Sequence, residues 1–416
     1  MSTHDVSRRR LLGVVAGGAA VAAAGLGASA VVGRSEAATA PPAAAEIPFH
    51  GEHQAGITTH PQDQLYVVAY DVITTDPREI ALLMKRWTDA ARLLTTGEPV
   101  GPGGAVKGNR LAPPDDTGEA LGLPASGLTL TVGYGPSLFD RRFGFATLRP
   151  PLLEPLPRFA GDELDPAISN GDIVIQACAN DAQVAVHAVR QLTRLGAGVV
   201  NPRWAQRGFA PTSGLDPEGG TPRNLQGFKD GTHNLDVLDP AMTSQHLWAS
   251  ADDGVGWMDG GTYLVSRRIR MLIETWDRSS LDEQEEVIGR RKGTGAPLGA
   301  SDEHATPDFR AIGPNGAPLI AANSHLRLAH PDNNDGTRLL RRGYSFSDGI
   351  DKLGRLDAGL FFLAFQRDPS RQFTPIMRRM SKEDRLNEYI RHQSSALWAC
   401  PPGVTESGYW GDTLFA

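Results

Sequence analysis

The chain has 416 residues, of which 40% are hydrophobic and 21% are charged, and its formal net charge is −7. This length and ordinary composition predict two core-forming units, or one duplicated unit, and exclude a fibre or a disordered chain. The negative charge argues against nucleic acid and anionic membrane surfaces as partners.

The start of the chain has the layout of an export signal. Three arginines, Arg8–Arg10, precede an uncharged stretch at 11–32, and Ala-Ser-Ala at 28–30 and Ala-Thr-Ala at 38–40 are candidate cleavage sites. A paired arginine before a weakly apolar core rich in Ala and Gly is typical of a twin-arginine (Tat) signal, although the stretch is long enough for a membrane anchor. We predict that residues 1–40 direct Tat export, that the protein meets the membrane only then, and that the mature chain is extracellular or in the cell envelope.

A leader segment at 41–64 is followed by the first predicted strand, a β-branched and aromatic run at 65–73. Asp76 and Pro77 then have the residue types of an N-cap and a first helical position. Apolar residues recur at spacings of three and four up to Leu94, which predicts a helix. Further strands are predicted at 128–132 and 172–177, and a further helix at 182–195.

The second half of the chain repeats this order of strand, helix and strand. A strand is predicted at 262–271, a helix from Ser280, a strand at 359–365 and a long helix at 374–397. The stretch 201–224 is rich in Gly, Pro and Arg and is the predicted linker. The repetition predicts two α+β domains, at 65–224 and 225–416, each with helices on one face of a sheet, as a duplication would give.

The two cysteines, Cys178 and Cys400, lie far apart in the sequence, and neither belongs to a CxxC pair. This spacing excludes a zinc ribbon. After export the two thiols can form a disulfide, or they can remain buried and free. The sequence leaves both alternatives open.

A glycine-flanked acid marks the first candidate site. The run Gly227-Phe228-Lys229-Asp230-Gly231 predicts a tight loop that holds a carboxylate at its tip and brings its backbone close to another group. A solvated turn is the alternative, because Asp-Gly is a common turn dipeptide.

A single histidine marks the second candidate site. His325 lies in an otherwise apolar stretch, and no second histidine, cysteine or carboxylate stands near it at the spacing of a zinc or calcium site. A histidine that binds a metal without such partners is typical of an axial ligand to haem iron. The alternative is a core histidine whose hydrogen bonds are satisfied.

Three motifs in register resemble the dye-decolorizing (DyP-type) haem peroxidases. The loop at 227–231 is similar to their GxxDG motif, His325 matches their proximal haem ligand, and the segment Arg-Arg-Gly-Tyr-Ser-Phe at 341–346 matches their distal-arginine segment. With the Tat signal, the sequence resembles the exported EfeB-like branch of the family. The resemblance implies an α+β fold of two duplicated ferredoxin-like units, with antiparallel sheets and helices, and with the haem in the C-terminal unit.

The same resemblance implies an enzyme that binds haem b. Such an enzyme uses hydrogen peroxide to oxidise dyes, phenols or other one-electron donors through an Fe(IV)=O intermediate. Its partners are then hydrogen peroxide and small-molecule reductants. An iron-acquisition component, which releases iron from haem or oxidises ferrous iron, is the alternative.

The resemblance also implies how haem is held. His325 is the implied iron ligand, and a carboxylate bonded to its other ring nitrogen would strengthen it as a ligand. Asp384 and Glu388 are both candidates for that carboxylate, and the choice stays open. The other implied haem contacts are Gly231, Arg327, His330 and Arg341.

The implied catalytic residues are an acid and an arginine. Asp230 accepts a proton from hydrogen peroxide, and an arginine beside it stabilises the negative charge that develops on the oxidant. Arg341 and Arg342 are both candidates, but neighbouring residues on an extended chain point to opposite sides. We favour Arg341 from the alignment of the segment that follows it.

Overall fold

In a computed structural model of the protein, the described residues are 46–212, 220–314 and 316–415. The predicted Tat signal therefore lies outside the described residues, and within them no helix combines the length and apolar character needed to cross a membrane. The strands are β1 (Gln64–Val72), β2 (Thr129–Tyr134), β3 (Ile173–Ala179), β4 (Val200–Phe209), β5 (Thr262–Met271), β6 (Leu340–Arg341), β7 (Tyr344–Ile350), β8 (Leu356–Gln366), β9 (Ile390–His392) and β10 (Ala396–Cys400). The helices are α1 (Pro77–Leu94), α2 (Ala182–Leu195), α3 (Pro240–His246), α4 (Ile273–Trp276), α5 (Leu281–Ile288), α6 (His325–Ala329) and α7 (Phe373–Glu383).

The first sheet has the strand order β4-β1-β3-β2, and all its neighbours are antiparallel. Side chains alternate along β1, so that Val68, Tyr70 and Val72 belong to the core beneath α1 and α2, whereas Leu65 and Val67 belong to a second core on the other face. This alternation is what the β-branched run in the sequence predicts.

The second sheet repeats that topology with the order β7-β8-β5-β10, again antiparallel. In each half the first of these four strands lies between the third and the fourth, and the second strand pairs with the third. The short strands β6 and β9 add to β8 and β5. The predicted fold class, two ferredoxin-like α+β units, is confirmed.

The two sheets join at both edges and form a closed ring. Tyr134 of β2 pairs with Ala399 of β10, and Phe209 of β4 pairs with Ser345 of β7. The described residues belong to one compact unit, Ala43–Ala416, so the domain boundary expected at 224/225 stays a prediction. The second core fills the inside of the ring with large side chains from both sheets, among them Trp204, Phe346, Phe361, Phe365 and Trp398.

Two predicted elements are wrong. Residues 201–209 of the expected linker belong to β4, where alternate residues are buried beside β1, and the Pro, Gly and Arg content of the strand hid this period of two. The long helix expected at 374–397 ends as α7 at Glu383. Asp384 then caps a short 3-10 turn, and the apolar run that follows pairs with β5 as β10.

Both cysteines are buried free thiols. Cys178 lies in β3 and Cys400 in β10. Burial raises the pKa of the Cys400 thiol, which keeps it in the unreactive protonated form. Of the two alternatives that the sequence left open, the structure has the free thiols.

Candidate active site

A cavity opens on the outer face of the second sheet, between β5 and β8 on one side and α6 and α7 on the other. The cavity has a volume of about 270 Å³. Asp230, His325 and Arg341 all line it, although they come from three separate parts of the chain. The apolar part of its wall includes Ile269, Leu360, Phe362, Ile376, Met377 and Leu386.

His325 is the first residue of α6, a helix of five residues. The helix is short because Pro331 forces His330 into an extended conformation. Nδ1 of His325 donates to Oδ2 of Asp384 at 2.7 Å, and among the described residues Nε2 has no hydrogen-bond partner. Asp384 is 5% exposed and its Oδ1 accepts the N–H of Leu386. The turn after α7 therefore fixes the carboxylate that fixes the imidazole.

The electrostatics of His325 connect the two sides of the cavity. Burial lowers the pKa of the imidazole, but the adjacent Asp384 carboxylate outweighs this, and the pKa lies above its usual value. Asp230 and Arg341 also act on this pKa, in opposite directions. The three predicted residues are thus close enough to interact through one cavity.

The predicted loop holds Asp230 by its backbone and by its neighbours. Gly227 and Gly231 have φ of 83° and 138°, which L side chains rarely adopt. A Cβ on Gly227 would also lie 2.7 Å from the side chain of Lys292. The buried Glu303 accepts from the hydroxyl of Thr232 at 2.7 Å and pairs with Lys229. These contacts fix the residues on both sides of Asp230.

Arg341 is clamped at its backbone and directed at Asp230 by its side chain. Its N–H donates to Oδ1 of Asn234 at 2.9 Å, and its carbonyl accepts from Nδ2 of Asn234 at 2.8 Å. Nη1 donates to Oδ1 of Asp230 at 3.2 Å and Nη2 to the carbonyl of Thr232 at 3.0 Å. The guanidinium and the carboxylate therefore present one joined polar surface to the cavity.

Arg342, the other candidate arginine, does not reach the cavity. It is 3% exposed, and its guanidinium donates to the carbonyl of Thr59 and to the side chain of Gln62. The alternation of side chains places it on the side of the chain opposite Arg341. The prediction that included Arg342 among the catalytic residues is corrected on this ground.

The predicted haem contacts divide in the same way. His330 and Gly231 line the cavity. Arg327 does not, because its guanidinium donates to the carbonyls of Phe309 and Ile320, and this corrects its expected place at the haem. Arg338 lines the cavity instead and has no side-chain partner among the described residues.

Two family models match the chain. The N-terminal model of the Dyp-type peroxidases matches residues 54–210, and the C-terminal model matches residues 221–405. The chain belongs to the Dyp-type peroxidase family. It is therefore a haem peroxidase, as the resemblance of its motifs implied.

Proteins similar to this peroxidase include both curated and solved relatives. A deferrochelatase of Escherichia coli (strain K12) is 38% identical over 99% of this chain and 97% of that protein. Ferric DtpA from Streptomyces lividans is 39% identical with a TM-score of 0.83, over 90% of this chain and 98% of that one. A DyP-type peroxidase from Cellulomonas bogoriensis is also 39% identical, with a TM-score of 0.82, over 90% and 99% of the two chains.

The residues of the cavity fit haem. One imidazole backed by a buried carboxylate is a donor set that haem iron accepts. The apolar walls suit the macrocycle, and the cationic Arg338 beside His330 suits its propionates. The cavity of this peroxidase therefore offers a ligand for the iron, apolar walls for the macrocycle and a cation for the propionates.

Several residues that build the site were not predicted from the sequence. Glu303 and Asn234 hold the loop and Arg341 through hydrogen bonds that only the folded chain brings together. Asn234 follows the GxxDG motif by three residues, and its position beside the motif was the available signal. Arg338 stands three residues before Arg341, and its closeness to that segment was the signal there.

Proposed function

We propose that His325 binds the haem iron of this peroxidase while Asp230 and Arg341 act on hydrogen peroxide from the opposite face. The observation that carries the proposal is that a histidine backed by a carboxylate and a separate Asp–Arg pair line one cavity. The haem supplies the iron at which peroxide binds and through which electrons enter from reductants. Dyes, phenols and other small one-electron donors are the proposed reductants.

Asp230 is suited to moving a proton. Its Oδ1 is held by Arg341, whereas within the described part of the chain its Oδ2 has only a long contact of 3.4 Å with Nδ2 of Asn224. Oδ2 can therefore accept a proton from one oxygen of hydrogen peroxide and return it to the other. The guanidinium of Arg341 stabilises the negative charge that develops on the oxidant.

On the other face, Asp384 sets the state of the ligand. Because the Nδ1 proton of His325 is bonded to Asp384, the Nε2 lone pair is available for a metal. The carboxylate also makes the imidazole a stronger electron donor. Arg338 and His330 are the proposed propionate contacts.

Rapid mixing of the haem-loaded protein with one equivalent of hydrogen peroxide tests this function. We expect the Soret band of the resting enzyme to change quickly in the wild type and slowly in Asp230→Ala, with haem still bound in both. Equal rates would remove the role of Asp230. Purified protein that stays colourless with added haemin would overturn the proposal as a whole.

A second candidate function is iron acquisition, which the 38% identity to a protein named deferrochelatase favours. In that case the same cavity would bind haem as a substrate and release its iron. Incubation with haemin and an iron chelator distinguishes the two. Chelated iron with intact porphyrin supports this candidate. Haem that stays whole, together with an enzyme that shows no preference for ferrous iron as its reductant, removes it.

We infer that residues 1–40 direct export through the Tat route, so that the mature enzyme is extracellular or in the cell envelope. The paired arginines and the Ala/Gly-rich core that follows support this. Replacement of Arg8 and Arg9 by lysine should retain the protein in the cytoplasm. Unchanged export of that variant would contradict the proposal.

A further inference from the structure

A second group of polar side chains lines the cavity, apart from those assigned above. Arg267 in β5 is 0% exposed and His392 in β9 is 6% exposed, and both belong to the cavity wall. Among the described residues, Nε and Nη1 of Arg267 and both ring nitrogens of His392 have no hydrogen-bond partner. Buried polar atoms without partners are rare and costly, so four of them at one cavity point to a bound molecule.

The two side chains are held firmly in place. Nη2 of Arg267 pairs with the buried Asp162, whose Oδ2 accepts the N–H of Phe159 at 2.9 Å. The ring of Phe159 lies 5.1 Å from the guanidinium. The backbone of His392 is fixed by its strand pairing with Ile269 of β5, and burial confines its ring. The unpartnered atoms therefore belong to a built site and not to mobile side chains.

The charges of the site select the chemistry of its occupant. Asp162 already neutralises Arg267. Burial, and then the charge of Arg267, holds the pKa of His392 well below its usual value, so the ring is neutral and has one donor and one acceptor nitrogen. An occupant that fills the acceptor nitrogen of His392 must accept from Arg267 and also donate to His392. A carboxylate could meet only the donor nitrogen of the ring, and it would add an unpaired negative charge beside Asp162.

We propose that Arg267 and His392 form a second polar binding site in the haem cavity, which takes a small neutral hydroxylic molecule, either water or hydrogen peroxide. Such a molecule has both donors and acceptors. The oxidant of a peroxidase and the water that the reaction produces both belong to this class. The site does not depend on the roles proposed for Asp230 and Arg341, so either proposal can fail alone.

Crystal structures of the haem-loaded protein test the site. In the wild type we expect non-protein density at about 2.7–3.2 Å from Nε or Nη1 of Arg267 and from a ring nitrogen of His392. The density should persist in His392→Gln, which keeps a donor and an acceptor, and disappear in His392→Phe. An empty space in the wild type, or a haem propionate at this position, would overturn the proposal. The wild-type result decides even if a variant does not fold.

Stopped-flow kinetics distinguish the two occupants. If the site takes hydrogen peroxide, His392→Phe should lower the second-order rate constant for peroxide by between about twofold and about tenfold, the value of one hydrogen bond. His392→Gln should restore most of that rate, with equal haem content in all three proteins. Unchanged rates together with the expected density would assign the site to water, whereas a loss of rate that His392→Gln does not restore would count against hydrogen bonding at His392.

Discussion

The two sheets of the molecule have the same strand order but different covers. On the first sheet, α1 has 18 residues and α2 has 14, and side chains such as Leu83 and Trp87 fill the space above the strands. On the second, α6 has five residues and α7 has 11, and a cavity remains above the strands. Shorter helices over the same platform thus leave room for haem.

The strands beneath these helices also differ in the side chains that they present. The face of β1 beneath the helices carries Val68, Tyr70 and Val72, whereas the face of β5 towards the cavity carries Arg267, Ile269 and Met271. The reactive groups of the second half come mainly from the connections between its long strands. The duplicated topology thus provides a platform, and inserted segments place the chemistry on one copy of it.

The comparison predicts that the largest effects on chemistry arise at the inserted loop before β5. Asp230→Ala should lower the rate of reaction with hydrogen peroxide by about 10²- to 10⁴-fold, because the proton acceptor is lost. Stopped-flow absorption measures this rate at matched haem content. The control is Asp236→Asn, an exposed acid of the same segment, and a loss of similar size there would break the assignment.

A somewhat smaller effect is expected at β6. Arg341→Leu should slow the same reaction by about 10²- to 10³-fold, since one preorganised charge is removed. Arg342→Leu is the matched control, because its side chain points into the ring and not to the cavity. It should reduce thermal stability and leave the rate per haem unchanged. Equal kinetic losses in both variants would contradict the placement of these arginines.

At the turn after α7 the expected effect falls on the affinity for haem. Asp384→Asn should weaken haem binding by about 10- to 100-fold, as for other residues that orient a metal ligand. Titration of the haem-free protein with haemin measures it. Glu388→Gln removes an exposed carboxylate nearby and should bind haem like the wild type. If Glu388→Gln bound haem more weakly than Asp384→Asn, the role would belong to Glu388.

Truncation beneath the long helices should affect stability alone. Leu83 is 0% exposed in the first unit, and Leu83→Ala should lower the free energy of unfolding by about 2–5 kcal/mol. Urea unfolding measures the loss. The rate per bound haem should not change at a temperature at which the variant is folded. A large fall in that rate would show that the first unit takes part in the chemistry.

The smallest effect is expected from reducing agents. Cys178 and Cys400 are free and buried, so a reductant should not shift the melting temperature. A thiol reagent should label neither cysteine in the folded protein and both after denaturation under non-reducing conditions. Failure to label both in denaturant would indicate a disulfide and would contradict the free thiols.

The sequence predicted what depends on local patterns. A β-branched and aromatic run predicted β1, and Asp76 with Pro77 predicted the start of α1, where Asp76 accepts the N–H of Arg78 at 2.9 Å. The alternation rule also predicted that only one of Arg341 and Arg342 would face the haem. Such features are determined by neighbours along the chain, and the sequence records them directly.

Other features depend on partners that are distant in sequence. The choice of Asp384 over Glu388 requires the turn after α7 to bring its carboxylate to His325. Arg327 was expected at the haem, but carbonyls of the preceding loop bind its guanidinium. Neither outcome follows from a local pattern. The sequence alone does not show which carboxylate reaches His325 or which groups surround the guanidinium of Arg327.

The central claim is that one imidazole holds the iron while an acid and a guanidinium meet the oxidant on the other side of the haem. The crystal structure of the haem-loaded protein tests it most directly. We expect a bond between iron and Nε2 of His325, with Asp230 and Arg341 across the macrocycle. Iron bound by a different residue, or Asp230 on the same face as His325, would contradict it.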